Sequence, residues 1–191
     1  MDLRIAKTHE SLQQALLVLL KEKPLEEITV SELCRMAKIN RGTFYLHYKN
    51  IHGVFERYFE EIVEDLKRSI LAPYQEMDQR IKELEADMIQ IFHHVKKYET
   101  FYCIVFDEKI PMKYYYMLFH VLRTFLTEIA FPIHPPEREA ITTFHISYQT
   151  NAIMGILLEW HQEEYKTPPS KLNEYLMEFI NIESRPSRTR E

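Results

Sequence analysis

The chain has 191 residues, 46% hydrophobic and 28% charged, enough apolar material for one ordinary domain or a small domain joined to a larger one. Its formal net charge of -5 is uneven: residues 1–50 carry eight Lys and Arg against six Asp and Glu, and the remainder carries 16 against 23. Only Gly42, Gly53 and Gly155 occur, so the clustered glycines of a phosphate-cradling loop, a dinucleotide fingerprint or a nucleophile elbow are missing.

Nine prolines punctuate a chain whose apolar residues recur at helical spacing, with almost no strand-like alternation. Ile5, Leu12, Leu16 and Leu19 predict a first helix, closed before Pro24. Thr29 followed three residues later by Glu32 is a capping box and starts a short helix with Val30, Leu33, Cys34 and Ala37 inward. After a turn at Ile39-Asn40, a second short helix runs from Arg41 to Tyr48, and Asn50 caps a long helix from Ile51 that Pro73 ends. Ile81, Leu84, Met88, Ile91 and Val95 predict an amphipathic helix from Met77. Met117, Leu118, Val121, Leu122, Phe125, Leu126 and Ile129 make a wide apolar face after Pro111. A long helix over about Glu137 to Glu164 is ended by Pro168-Pro169, and a last one carries Leu172, Leu176, Phe179 and Ile180. The expectation is an all-α protein of roughly nine helices.

Two short helices joined by a tight turn, in the basic part of the chain, have the layout of a helix-turn-helix. The second has unusual chemistry for a core element. Arg41 stands at its first turn, where a guanidinium reaches a guanine edge bidentately. Gly42 costs about 1 kcal/mol against Ala inside a helix and suits a backbone that approaches something closely. Thr43 offers a hydroxyl and a methyl, and Tyr45, His47, Tyr48 and Lys49 are suitable phosphate donors. An ordinary helical hairpin with Phe44, Tyr45 and Tyr48 in its core fits the same spacing.

The run Ile28-Thr-Val-Ser-Glu-Leu-Cys-Arg-Met-Ala-Lys-Ile-Asn-Arg-Gly-Thr-Phe-Tyr-Leu-His-Tyr-Lys-Asn closely resembles the DNA-binding segment of the TetR family of bacterial transcriptional regulators. The similarity extends over about residues 5–66, and its Arg-Gly-Thr-Phe-Tyr-x-His-Tyr core is highly specific. The resemblance implies a three-helix DNA-binding head in which Arg41, Gly42 and Thr43 face bases. Tyr45 and His47 then bind phosphates, Thr29 and Lys49 add backbone contacts, Leu46 meets a thymine methyl and Phe44 anchors the core. Two departures stand out. Lys38 replaces a helix-ending glycine and must adopt a strained conformation, or the turn differs slightly. Ile51 replaces a lysine and removes one phosphate contact. Farther on, Tyr148 to Phe179, with Ala152-Ile153-Met154-Gly155 and Trp160, is similar to the ends of family members related to regulators of dihydroxyacetone kinase operons, some of which act as activators or coactivators.

The resemblance divides the chain into a head over 1–50, a linking helix over about 51–70, a regulatory and dimerisation body over 71–182 and a flexible tail over 183–191. It implies a homodimer on two half-sites, joined through the last helices by Ala152, Gly155, Glu159, Leu176 and Phe179. It also implies a small-molecule pocket, for which His93, Tyr102, Phe106, Tyr115, Phe119, Tyr148 and Asn151 are candidates. The expected function is a cytoplasmic TetR-type repressor of double-stranded DNA operators, not an enzyme. An activator, a coactivator or a protein-interaction module with a degenerate head is the alternative.

No cofactor and no metal are expected: His93 and His94 are adjacent and no two histidines stand three or four apart, though a site from His120, His145 and Cys103 stays open. No membrane span and no export signal are read from the sequence, and Cys34 and Cys103 suit a reducing compartment.

Overall fold

A computed structural model describes residues 3–75, 85–107, 110–130 and 139–183. Among them are nine α-helices and no strand: α1 (Leu3–Leu20), α2 (Val30–Ala37), α3 (Arg41–His47), α4 (Ile51–Gln75), α5 (Ile91–Lys97), α6 (Glu99–Val105), α7 (Lys113–Phe125), α8 (Glu139–Gln162) and α9 (Pro169–Glu183). Short 3-10 turns span Leu25–Glu27 and Ala86–Met88, and a π-helical turn over Leu126–Ala130 extends α7. The proposed tail beyond Glu183 lies outside the described residues.

Local chemistry fixes the head. The Thr29 hydroxyl accepts the Glu32 amide at 3.2 Å, so the capping box starts α2 as its spacing predicts. Asn40 accepts from the Gly42 amide at 2.8 Å and opens α3, and Asn50 accepts from the Gly53 amide at 3.0 Å and opens α4. Between α2 and α3, Lys38 takes φ 56° and ψ 36°, the left-handed conformation that its replacement of glycine demands. The Ile39 amide then returns to the Cys34 carbonyl at 2.9 Å, which closes the helix end. Helix α1 packs on α2 and α4, and its Leu12, Leu16 and Leu19 are buried in the same core as Leu33, Phe44 and Ile51.

The body is centred on an aromatic cluster. Phe55 and Phe59 of α4 meet Phe101 of α6 and Tyr114 of α7, with the Phe55 and Tyr114 rings edge-on at 4.5 Å. At the corner after α8 the Trp160 indole donates to the Thr167 carbonyl at 2.9 Å. Glu164 and Tyr165 are both left-handed there, and burial of the Tyr165 ring holds the bend.

Three details differ from the spacing. Pro73 lies within the last turn of α4, where it costs the carbonyl of Ser69 its helical partner without ending the helix. Helix α4 therefore crosses the boundary expected near residue 70. The helix expected from Met77 through Val95 is interrupted: Glu85, Ile89 and Gln90 are not helical, and α5 starts only at Ile91. A 3-10 turn keeps Met88 and Ile89 buried, so the apolar spacing persists without a continuous helix. Helix α8 ends at Gln162 rather than at the prolines, and Pro169 instead opens α9 at its first position.

Candidate functional site

Helix α3 anchors itself with one side chain. Of its seven residues only Phe44 is buried, fully so, with Tyr45 edge-on against it at 5.3 Å. Arg41, Gly42, Tyr45 and Leu46 are exposed, Thr43 and His47 are half-buried, and the following Lys49 is exposed. Leu46 is 81% exposed and Tyr45 53%, a heavy apolar and aromatic display for a helix that faces only water. A Cβ on Gly42 would meet only the Asn40 side chain, at 3.5 Å, so nothing among the described residues requires glycine there. Thr29, the cap of α2, is exposed as well.

Tyr48 departs from its expected role as a phosphate donor. It is 7% exposed, and its hydroxyl sits 2.5 Å from Nδ1 of the buried His9 on α1. Burial pushes the Tyr48 phenol up to about 12. Its oxygen faces the head's own core because its partner lies thirty-nine positions earlier, beyond the reach of local pattern. Ile51 is buried too, so the position occupied by a cation in the resembling family serves here as core.

The seven pocket candidates differ in their burial. Tyr102 is buried and stacks on half-buried Phe106 with ring centroids 6.2 Å apart. His93 is exposed on α5, and Tyr115 and Phe119 are half-buried on α7. Tyr148 and Asn151 project from the outward side of α8, because residues 146, 150, 154 and 157 occupy its buried side at helical spacing. None of the seven lines the described grooves: one of about 330 Å³ at Gln14, Val18, Tyr58 and Tyr98, one of about 370 Å³ at Leu20, Cys103 and Asp107, and one of about 290 Å³ at His120 and Arg123.

Around Tyr102 the structure gathers polar groups that the sequence did not mark. Asp65 of α4 accepts from Lys97 at 2.9 Å and from Arg68 at 3.1 Å, and lies 3.5 Å from Nδ1 of buried His94. Burial would raise the Asp65 carboxyl, but hydrogen bonds from Lys97, Tyr98 and Arg68 prevail and hold it at about 2. Burial drives His94 down to about 4, against the pull of Asp65. Among the described residues, both His94 nitrogens and the Tyr102 and Tyr165 hydroxyls lack a hydrogen-bonding partner. Sequence reasoning missed Asp65, His94 and Tyr165 because three separate elements bring them together.

Of the residues expected between subunits, Ala152, Gly155 and Glu159 form an exposed line on α8, and Phe179 of α9 is 47% exposed. Leu176 is instead buried within the chain. Ile141 and Phe144 continue the line at 68% and 77% exposure, residues that sequence reading did not single out. Among the described residues no atom lies within 4 Å of a Cβ placed on Gly155. Among them, too, no group of three or more His, Cys, Asp or Glu side chains could hold a metal ion, and no helix is long and apolar enough to cross a membrane. Both thiols are free, and burial pushes both upward.

Residues 82–182 match the TetR family model described as the C-terminal region of a transcriptional regulator. An uncharacterised helix-turn-helix-type transcriptional regulator of Bacillus subtilis, YxbF, is 22% identical over 170 residues, which is 88% of this chain. The chain spans only 43% of that relative's length. Among solved structures, a TetR-family transcriptional regulator from Syntrophomonas wolfei superposes with a TM-score of 0.70 at 13% identity, over 97% of this chain and 99% of its own. The dihydroxyacetone kinase operon activator DhaS gives 0.61 at 17% identity, over 92% and 95%. The fatty acid degradation regulator FadR of Bacillus halodurans gives 0.62 at 16%, over 90% and 93%. Those structures share the fold; the family model covers just over half of the chain, which therefore belongs to the TetR family of transcriptional regulators.

Proposed function

We propose that the chain is a homodimeric repressor that binds a palindromic double-stranded DNA operator through α3 and responds to a small molecule. The surface of α3 carries this reading: one buried anchor, Phe44, beneath exposed Arg41, Gly42, Tyr45 and Leu46. A helix so displayed suits the major groove, about 12 Å wide. Arg41 reads a guanine edge, Leu46 a thymine methyl, and Thr43 a base or the backbone through its hydroxyl. Gly42 lets the helix backbone approach, while Tyr45, His47 and Lys49 hold phosphates, with Thr29 at the cap of α2. The reading assigns the protein to a bacterial cytoplasm, where Cys34 and Cys103 stay reduced.

The exposed line Ile141, Phe144, Tyr148, Ala152 and Gly155 supports dimerisation. Helix α8 is apolar on its outer side as well as its inner one, and a second copy offers the same line in return. Two heads are then held on two half-sites about one helical turn apart. The unpartnered Tyr102 and His94 atoms support an effector with hydrogen-bonding groups, which acts by binding one head separation better than the other. Repression follows from occupancy of the duplex.

Selection from random duplexes by the purified chain tests the reading, with binding at two salt concentrations and sedimentation of the complex. Expected are a palindromic site, two chains per duplex and an affinity that falls steeply with salt as counterions return. Recovery of random sequence at both salts would overturn it.

A further inference from the structure

We propose that His9 is a positioning residue for DNA recognition: from α1 it holds Tyr48 and His47, and so sets the end of α3 against the duplex. The inference rests on the DNA-binding reading of α3.

His9 is 6% exposed, one of few polar side chains buried in the head. Its Nδ1 lies 2.5 Å from the Tyr48 hydroxyl, and its ring stands edge-on to Tyr48 at 5.2 Å and to His47 at 5.0 Å. Tyr48 caps α3, its amide returning to the Phe44 carbonyl at 2.9 Å. One imidazole therefore grips both the last residue of α3 and its cap. Helix α4 closes the arrangement from the other side: Glu61 accepts from Gln13 of α1 at 2.8 Å and from Arg57 at 3.0 Å.

The grip depends on a neutral ring. Burial, with Arg57 and His47, holds His9 below the usual imidazole range, while Glu61 pulls the other way. A neutral ring in the Nε2–H tautomer accepts the Tyr48 hydroxyl proton at Nδ1. A protonated ring must donate at that atom instead, which leaves the phenol proton without its acceptor and sets a cation against His47 and Arg57. Acidification should therefore loosen the end of α3, where His47 and Lys49 stand as phosphate contacts. A buried histidine that served only packing would show neither this directionality nor a dependence on its acceptor atom.

The test compares wild type with H9N, H9L and Y48F, all confirmed folded by melting well above the assay temperature. The probe is a fluorescent duplex recovered by selection, or a random duplex if no site is enriched. Hydrogen exchange of the α3 amides is followed without DNA between pH 7.5 and 5.5. Loss of one such hydrogen bond should weaken DNA binding roughly three- to tenfold in H9L and Y48F. The double variant H9L/Y48F should be no weaker than either, and H9N, which keeps an acceptor near Nδ1, should bind like wild type. Wild type should lose affinity and α3 protection as the pH falls, more than H9N does. Equal pH profiles in wild type and H9N, or undiminished binding by H9L, would overturn the positioning role. If no duplex binds wild type, the DNA reading fails by itself, and the exchange profiles still decide whether His9 holds α3.

Discussion

Helices α3 and α8 treat exposure in opposite ways. Helix α3 is seven residues long, buries Phe44 alone and surrounds its exposed apolar atoms with hydrogen-bonding groups. Helix α8 is 24 residues long, buries Ile146, Met154, Leu157 and Trp160, and exposes Ile141 and Phe144 on its other side. The first pattern fits a mixed polar and apolar surface such as a groove of DNA. The second fits a face that another helix of the same kind covers. The contrast shows that exposure alone says little, and that the chemistry around each exposed apolar group separates one kind of partner from another.

Removing the anchor breaks the comparison most severely. Phe44→Ala should cost about 3–5 kcal/mol in chemical denaturation, because the ring is fully buried and is the one buried side chain of α3. An unchanged midpoint would mean that α3 is held by something other than its one inward side chain. The acid limb of stability comes next and belongs to the body. His94 titrates at about 4 in the folded chain against an ordinary value of 6.5, so the unfolded chain takes up the proton first. Stability from His94 is complete above pH 6.5 and is lost as the pH falls towards 4, by about 3 kcal/mol. Asp65, held at about 2, adds a further loss below its ordinary value of 3.8. His94→Leu should flatten the first limb and spare the second, as read from melting curves at stepped pH. A limb that persists in that variant would assign it to other histidines.

The smallest expected effect lies at the turn of the head. Lys38→Gly relieves a left-handed lysine and should raise stability by about 1 kcal/mol, net of the extra freedom glycine has in the unfolded chain. A loss of stability would show that the lysine side chain contributes more than its backbone costs.

What was legible in the sequence follows the range of the interactions. The caps at Thr29 and Asn50 act within three residues, and both stand where their spacing places them. Strain at Lys38 was legible through the resemblance, which places a helix-ending glycine there, and the residue is left-handed. Features that depend on distant partners were not. Tyr48 turns inward because of His9, and Asp65 meets His94 only when α4 packs on α5. Tyr148 and Asn151 were pocket candidates and stand exposed, and a helix apolar on both sides carries no periodic sign of which side the chain buries. The break between Met88 and Ile91 was hidden by an apolar spacing that a 3-10 turn satisfies almost as well.

On the proposed function, α3 displays a surface that reads base sequence. This is tested most directly by the affinities of wild type, Arg41→Ala and Tyr45→Phe for one selected site and one random duplex. Arg41→Ala should cost about 1–3 kcal/mol on the selected site, relax its preference at one position and change random binding far less. Tyr45→Phe should weaken both duplexes alike, as a phosphate contact does. Equal losses on both duplexes for Arg41→Ala would contradict base reading by α3.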